Sequence, residues 1–349
     1  MLLLDKVLTG PGNRQVRGVE LFNLNLARDL AQLGHPVSVP IHPDWHPAIE
    51  RIAGDGATPI EPLPLPASCG GARQIGRATR GRHFPVLLLG NVANRLIPTL
   101  GLLRLRRTAQ RCVLIAHREP SRRSLLAQKL WPSVIVAVNR QIAGHFERAG
   151  FRHVHVYYGV TDADRFHPPD TPEADDNCTH FCVTGNLDNA WKGADTAVAA
   201  FRLLPEAIRR RCRLHLAAFR QPPDFGDATI IAYDWMDSAA MPDFFRRMDV
   251  MIVPSRDEQV MRETFSQVMV QGMLSGLPIL ASRLPILEEK LDAGGGIVFD
   301  DPRALAEAMA QLADNPDRRA GMGRQARDTA LGRYVWDTAT FVERFVRMA

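Results

Sequence analysis

Lysine is nearly missing from this chain: of 43 basic residues only Lys6, Lys129, Lys192 and Lys290 are lysines. Positive charge therefore comes almost wholly from arginine, and a lysine on a loop stands out as a flexible point charge. Cysteine is also scarce. Five residues (Cys69, Cys112, Cys178, Cys182, Cys212) are scattered and odd in number, and no signal-peptide pattern accompanies them, which argues against a disulfide framework and for a reducing cytoplasm. Cys178 and Cys182 flank His180, but a fourth ligand is lacking and Cys182 lies in the strand-like run "HFCVTG", so no metal is expected. Nucleic acid is disfavoured by the absence of helix-turn-helix, RNP and zinc-finger patterns and of aromatics interleaved with the basic residues. No apolar run is long enough to span a membrane, since "VLLLGNVANRLIPTLGLL" is interrupted by Asn91, Asn94, Arg95 and Pro98. Internal repeats and low-complexity segments are missing too.

What is present is ordinary globular material, 46% hydrophobic and 23% charged over 349 residues, which is enough chain for two cores. The net charge of +5 is uneven: residues 1–170 carry 22 Lys+Arg against 12 Asp+Glu, and the remainder 21 against 26. A basic half attracts anionic lipid, phosphorylated substrates or nucleic acid, the last being the weakest fit.

Short apolar runs alternate with amphipathic helical patterns throughout. "LLLDKVL", "HPVSVPI", "PVLLLG", "CVLIAH" and "VIVAV" read as strands buried on both faces, with helices such as "VELFNLNLARDLAQLG" between them. The second half continues with "HFCVTG", "RLHLAAF", "VMIVPS", "LPILAS" and "GGGIVF". This is the pattern of parallel sheets covered by helices, an α/β protein. The Pro- and acid-rich "FHPPDTPEADDN" reads as a linker. The expected division is an N-terminal domain over 1–165, a linker over 166–177, a C-terminal domain over 178–332 and a helix over 333–349 that packs back across the join. Two doubly wound domains so joined would leave a cleft.

Four places carry candidate chemistry. After the first strand, "GPGNRQVRGVE" lacks the third glycine of the dinucleotide fingerprint, with Gln15 in its place, and no ribose-binding acid follows, so a nicotinamide cofactor is not expected. Gly10, Gly12 and Gly18 with Arg14 and Arg17 still suit a phosphate or carboxylate at a helix start, or are an ordinary strand-to-helix loop. In "GNLDNAWKGAD", Lys192 is either a phosphate-reaching charge or a solvated surface residue. His117 closes the strand "CVLIAH", at the edge where ligands bind in parallel sheets, although a lone histidine is more often structural. In "RETFSQVMVQGMLSGLPILAS", Thr264 and Gln267 have the spacing of a capping box, Gly276 and Pro278 end the helix, and Glu263 stands before a first turn suited to an anion. Gln271 lies up to about 12 Å further along the helix axis. Phe265, Val268, Met269 and Met273 read as the core face of that helix.

Together these segments resemble the retaining glycosyltransferases of family four, which have the GT-B fold of two Rossmann-like domains. The resemblance runs through "RGVELFNLNLARDLAQLGHPVSV", "YYGVTDADRFHP", "GNLDNAWKGAD" and the stretch from "PS" to "ETFSQVMVQGMLSGLPILAS", in the family's order. It departs from the family at Asn186, where an arginine is usual, and at Gln271, where the second acid of the signature is usual. The resemblance implies sugar transfer from a nucleotide diphosphate sugar to an acceptor hydroxyl, with retention and without a metal or other cofactor. It implies catalytic roles for His117, Lys192 and Glu263. Donor binding falls to Gly12, Gly18, Gly185, Asn186, Lys192, Thr264, Phe265, Ser266 and Gln271. Closure about the linker would bring both halves onto one substrate. The expected setting is bacterial, in polysaccharide or glycoconjugate synthesis, in the cytoplasm, with a sugar or lipid-linked acceptor. The arginines of the first half (Arg73, Arg77, Arg80, Arg82, Arg104, Arg106, Arg107, Arg111) would provide peripheral contact with the inner face of the membrane, or are simply a solvated surface. Two alternatives stand beside this: a catalytically silent nucleotide-sugar-binding protein, kept open by Asn186 and Gln271, and an epimerase or phosphorylase on the same fold.

Overall fold

The computed structural model describes residues 1–5, 7–11, 18–53, 60–67, 71–90, 96–129, 131, 133–157, 163–170, 177–237, 239–257, 263–335 and 337–347. The chain divides into two compact units, Met1–Tyr158 together with Asp337–Ala349, and Gly159–Trp336.

The first unit is built on a seven-stranded sheet: β1 (Leu2–Asp5), β2 (Ser38–Ile41), β3 (Glu61–Pro64), β4 (Phe84–Gly90), β5 (Ala109–Ala116), β6 (Ser133–Ala137) and β7 (Val154–Val156). Their order is β3-β2-β1-β4-β5-β6-β7, and every recorded pairing is parallel. The second unit carries a six-stranded parallel sheet of β8 (Thr179–Thr184), β9 (Cys212–Phe219), β10 (Ile230–Asp234), β11 (Val250–Val253), β12 (Ile279–Ser282) and β13 (Gly296–Phe299), in the order β10-β9-β8-β11-β12-β13. Both sheets reverse direction of winding once, between β1 and β4 and between β8 and β11. In an open parallel sheet such a reversal leaves a crevice beyond the carboxyl ends of the two strands, because their following loops turn away to opposite faces.

The α/β class and the Rossmann-like domains expected from the sequence are thus present. The strand-like runs "LLLD", "SVPI", "VLLLG", "CVLIA" and "VIVA" lie in β1, β2, β4, β5 and β6. Three strands not expected, β3, β7 and β10, are all sheet edges. β3 is "EPLP" and exposes alternate residues, and proline is tolerated there because an edge strand has one side without ladder bonds to make.

The boundaries differ from the expected ones. Phe166, placed in the predicted linker, is only 4% exposed. It faces Phe245 at 6.1 Å, and Arg327 donates to its carbonyl at 3.2 Å. Pro168 lies against Gly276. This part of the segment is therefore packed into the second unit, while 171–176 lie outside the described residues. The tail is not one helix from 333. The helix Pro316–Arg333 stops at Tyr334, and Asp337 caps a new short helix, Thr338–Phe341, by accepting from the Ala339 N–H at 2.9 Å. This tail packs within the first unit, with Phe345 at 5.4 Å from Tyr157 and 5.3 Å from His155.

The second core joins Phe181, Leu214 and Ile252 from the sheet to Phe201 from the helix Ala194–Leu203 and to Leu305 and Met309 from the helix Pro302–Asp314, all fully buried. Truncating Phe201 to alanine should cost about 3–5 kcal/mol. Faster hydrogen exchange at the β8 and β9 amides in urea should report it, whereas unchanged exchange would mean that the cavity collapses.

Candidate functional site

In the second unit the crevice between β8 and β11 collects the chemistry. β8 ends at Thr184, and Gly185 follows with φ of 132°, a conformation open to glycine, which lets the Lys192 side chain cross 3.5 Å from where a Cβ would stand. A short 3-10 turn, Ala190–Lys192, ends at Gly193 with φ of 73°, and the helix Ala194–Leu203 begins there. A Cβ on Gly193 would sit 2.0 Å from the Pro254 carbonyl. The two crevice loops touch through backbone at this point, so only glycine fits. Close by, the Arg256 N–H donates to the Trp191 carbonyl at 2.7 Å.

The loop after β11 delivers Glu263. Its Oε2 accepts from Lys192 Nζ at 2.7 Å and from Ser255 Oγ at 3.4 Å, while its Oε1 accepts from the Ser266 N–H at 3.0 Å. The pair is largely enclosed, with the lysine side chain 14% and the glutamate 9% exposed. Burial pushes the Glu263 carboxyl up, but the Lys192 charge and hydrogen bond, the Lys290 charge and the Ser266 N–H together hold it below the usual value. Glu263 is therefore a carboxylate at neutral pH.

The helix start differs from the capping box expected of Thr264 and Gln267. The helix runs Gln267–Leu274, and its N-cap is Ser266, held at φ 56° with no side-chain cap bond. The Glu263 carboxylate, rather than a threonine hydroxyl, takes the free N–H, because the helix starts two residues later than the pattern suggests. Ser266 Oγ is left buried without a hydrogen-bond partner, and so are Asn186 Oδ1 and Trp191 Nε1. A buried polar atom left unpaired costs about 1–3 kcal/mol. Three of them around one ion pair mark a place where a polar ligand would complete the bonding. Phe265 is buried, as expected of a core residue. Gln271 lies one turn into the helix and is partly exposed.

Lys192, Glu263, Gly185, Asn186, Thr264, Phe265 and Ser266 thus share one strand-end region. Arg256, a candidate for the missing arginine, is engaged with Asp195 at 2.5 Å and Thr196 at 2.7 Å. Arg262, Arg14, Arg17 and Gly12 lie outside the described residues, and Gly18 opens the helix Gly18–Gln32. Cys182 is buried and its thiol is pushed up by burial, while His180 Nδ1 meets His215 Nε2 at 2.9 Å. Among the described residues no three His, Cys, Asp or Glu gather as metal ligands.

In the first unit His117 stands just past β5, 5% exposed, with its ring edge-on to Phe22 at 4.9 Å. Burial, with the Arg118 charge assisting, lowers its pKa to about 3. The sequence did not single out its neighbours on the same sheet edge. Asp5 ends β1 and accepts from the Val7 N–H at 2.6 Å and from Asn23 Nδ2 at 2.8 Å. Gly90 ends β4 and leaves room for that pair, since a Cβ would meet Asn23 Nδ2 at 2.2 Å. A buried carboxylate at the end of the first strand is a signal that could have been read from "LLLD". In the second unit the sequence likewise missed Ser255 and Lys290.

A histidine protonated at about 3 when folded but near 6.5 when unfolded lets the unfolded chain bind more protons between those values, so stability falls as pH drops through that window. His117→Gln should flatten the decline in melting temperature between pH 6.5 and about 3. An unchanged slope would show that His117 is not held neutral.

The family profile of Glycosyl transferases group 1 matches residues 179–315. A D-inositol 3-phosphate glycosyltransferase of Corynebacterium kroppenstedtii is 37% identical over 95 residues, 26% of this chain and 20% of that protein. The corresponding enzyme of Kineococcus radiotolerans is 29% identical over 161 residues, 38% of this chain and 36% of that protein. The chain therefore matches about a fifth to a third of these relatives' length. Over the whole chain the fold is that of Anabaena HepE in complex with UDP, with a TM-score of 0.77 at 17% identity over 99% of this chain and 98% of that one. A sucrose-phosphate synthase of Thermosynechococcus elongatus gives 0.71 at 15% identity, over 99% and 98%. The segment that holds the Lys192–Glu263 pair is thus similar to the Glycosyl transferases group 1 family, in a chain with the GT-B fold.

Proposed function

We propose that the protein transfers a sugar from a nucleoside diphosphate sugar to an acceptor hydroxyl, with retention at the anomeric carbon and without a metal. The observation that carries this reading is the Lys192–Glu263 pair, set at the crevice of a parallel sheet beside the start of the helix Gln267–Leu274 and ringed by unpartnered buried polar atoms. The family match and the UDP bound by the similarly folded HepE agree with it.

The difficult step is departure of the nucleoside diphosphate while positive charge grows on the sugar ring. Fixed positive groups at the departing oxygens stabilise that state without having to reorganise. Lys192 supplies a full charge, and the helix start supplies N–H groups and the positive end of a dipole. In this reading the diphosphate draws the Lys192 ammonium away from Glu263, and the freed carboxylate accepts hydrogen bonds from the sugar hydroxyls. Asn186 offers an amide where the family uses arginine, and Gln271 can donate to and accept from ribose hydroxyls.

Lys192→Ala and Glu263→Gln should each reduce turnover to background while the protein stays folded. Thermal denaturation with UDP, GDP, ADP, dTDP and CMP should show stabilisation by one nucleoside diphosphate, about 2.7 kcal/mol at 100 times its dissociation constant, lost in Lys192→Ala. No response to any nucleotide would remove the donor site.

The acceptor side is proposed to meet anionic lipid. Arg73 and Arg77 project from the helix Ala72–Ala78, which packs on the helix Ile97–Leu105 where Gly76 meets Leu102. Leu105 is 84% exposed between Arg104 and Arg106. An apolar side chain flanked by arginines suits a headgroup layer. Arg82, by contrast, is spent on Glu61 at 2.6 Å. No helix among the described residues is long and apolar enough to cross a membrane. Sedimentation with anionic vesicles at low salt should show binding that Leu105→Asp abolishes, and no sedimentation would remove the lipid contact.

A further inference from the structure

Lys290 is fully buried, in the helix Pro285–Leu291 that follows β12. Its ammonium lies 4.4 Å from the Phe265 ring centre and 5.4 Å from that of Tyr334. Its recorded hydrogen bond, to the Ile286 carbonyl, is long at 3.5 Å. A lysine so placed is costly: its charge has left water for two aromatic faces and one weak acceptor. A leucine or methionine would fill the same space without that cost, so packing alone does not account for it.

Phe265 ties the lysine to the site. It is two residues on from Glu263, within the turn whose Ser266 N–H the Glu263 carboxylate accepts. Tyr334 closes the other side, its hydroxyl donating to the Glu289 carbonyl at 3.3 Å. The charges facing Lys290 are Glu263 from the loop after β11, with Lys192 beyond it, and Glu289 on its own helix; Arg333 and Asp292 flank Tyr334. Among the described residues Lys192 and Lys290 are the two cations that hold Glu263 ionised, and only Lys192 touches it.

We propose that Lys290 is a positioning residue that keeps the Glu263 carboxylate ionised and its turn in place while Lys192 is engaged by the donor diphosphate. The inference rests on the transferase reading for its purpose. Once the diphosphate has taken Lys192, a buried Glu263 without a second cation would accept a proton and lose its capacity to hold the sugar hydroxyls. Lys290 lies behind the aromatic turn, out of the donor's reach, so its charge stays with Glu263 throughout.

The test needs no donor. Thermal unfolding is followed against pH for the wild type, Lys290→Met, Glu263→Gln and the double variant. A carboxyl held low in the folded state contributes stability that is lost as pH falls through its folded pKa. Lys290→Met should therefore move the acid loss of stability up by about one pH unit, and the shift should vanish on the Glu263→Gln background. An equal shift on both backgrounds, or none on either, overturns the proposal. Lys290 titrates at about 8 in the fold, lowered by burial, against the usual 10.5. If Lys290→Met does not fold, the carboxyl carbon resonance of Glu263 in the wild type, assigned by its loss in Glu263→Gln, should move a second time near pH 8. A resonance flat through that range overturns the proposal as well. Where transfer is detected, Lys290→Met should lower kcat and raise the acid limb of the kcat profile while leaving the donor KM within about threefold, about 0.65 kcal/mol. Failure of the wild type to transfer any sugar would count against the transferase reading alone, since the donor-free arms decide the coupling of Lys290 to Glu263.

Discussion

The ion pair between Lys192 and Glu263, 2.7 Å long and nearly closed off from water, is the contact on which the second unit's site depends. An enclosed ion pair is seldom worth its desolvation as a stabilising device. Here each partner has a second task. Lys192 sits at the end of a turn shaped by Gly185 and Gly193, and Glu263 takes the place of a cap on the helix Gln267–Leu274. The pair thus ties the loop after β8 to the loop after β11 at the crevice that the change in winding direction opens.

That arrangement explains why the site holds unsatisfied polar groups. Ser266 is kept at a positive φ and its hydroxyl has no partner, while Asn186 and Trp191 also bury unpaired polar atoms nearby. Backbone strain and missing hydrogen bonds persist only where the surroundings over-determine them, and they concentrate where a ligand completes the bonding. Lys290 belongs to the same economy of charge. Two of the chain's four lysines lie at this one carboxylate, one in contact with it and one behind the aromatic turn.

The first unit uses the same sheet order with different contents. Its β1 end carries a buried aspartate rather than a glycine, and the space at Gly90 exists to accommodate the Asp5–Asn23 hydrogen bond. His117, enclosed against Phe22, is neutral chiefly because burial disfavours its charged form, whereas Glu263 is charged because its neighbours outweigh the burial that opposes it. Arg118 opposes protonation of the histidine, and Lys192 favours ionisation of the acid.

The central strands were legible because strands buried on both faces must be continuously apolar, and "VLLLG", "CVLIA" and "VMIV" admit no other period. Lys192 and Glu263 were legible by type and by their place after strands, through local patterns that name loops. The edge strands β3, β7 and β10 were not, since a half-paired strand needs few apolar residues and tolerates proline. The capping box at Thr264 and Gln267 was read two residues too early, because the free N–H is taken by a side chain whose position depends on Lys192, 71 residues away. The boundary near 166 was misplaced because Phe166 finds its partners at Phe245 and Arg327, far along the chain. By itself the sequence determined the sheet class, the two cores and the kinds of group at the strand ends. Tertiary structure alone decided which of those groups meet and which charges they keep, because ionisation and pairing follow from burial and from neighbours that local spacing does not specify.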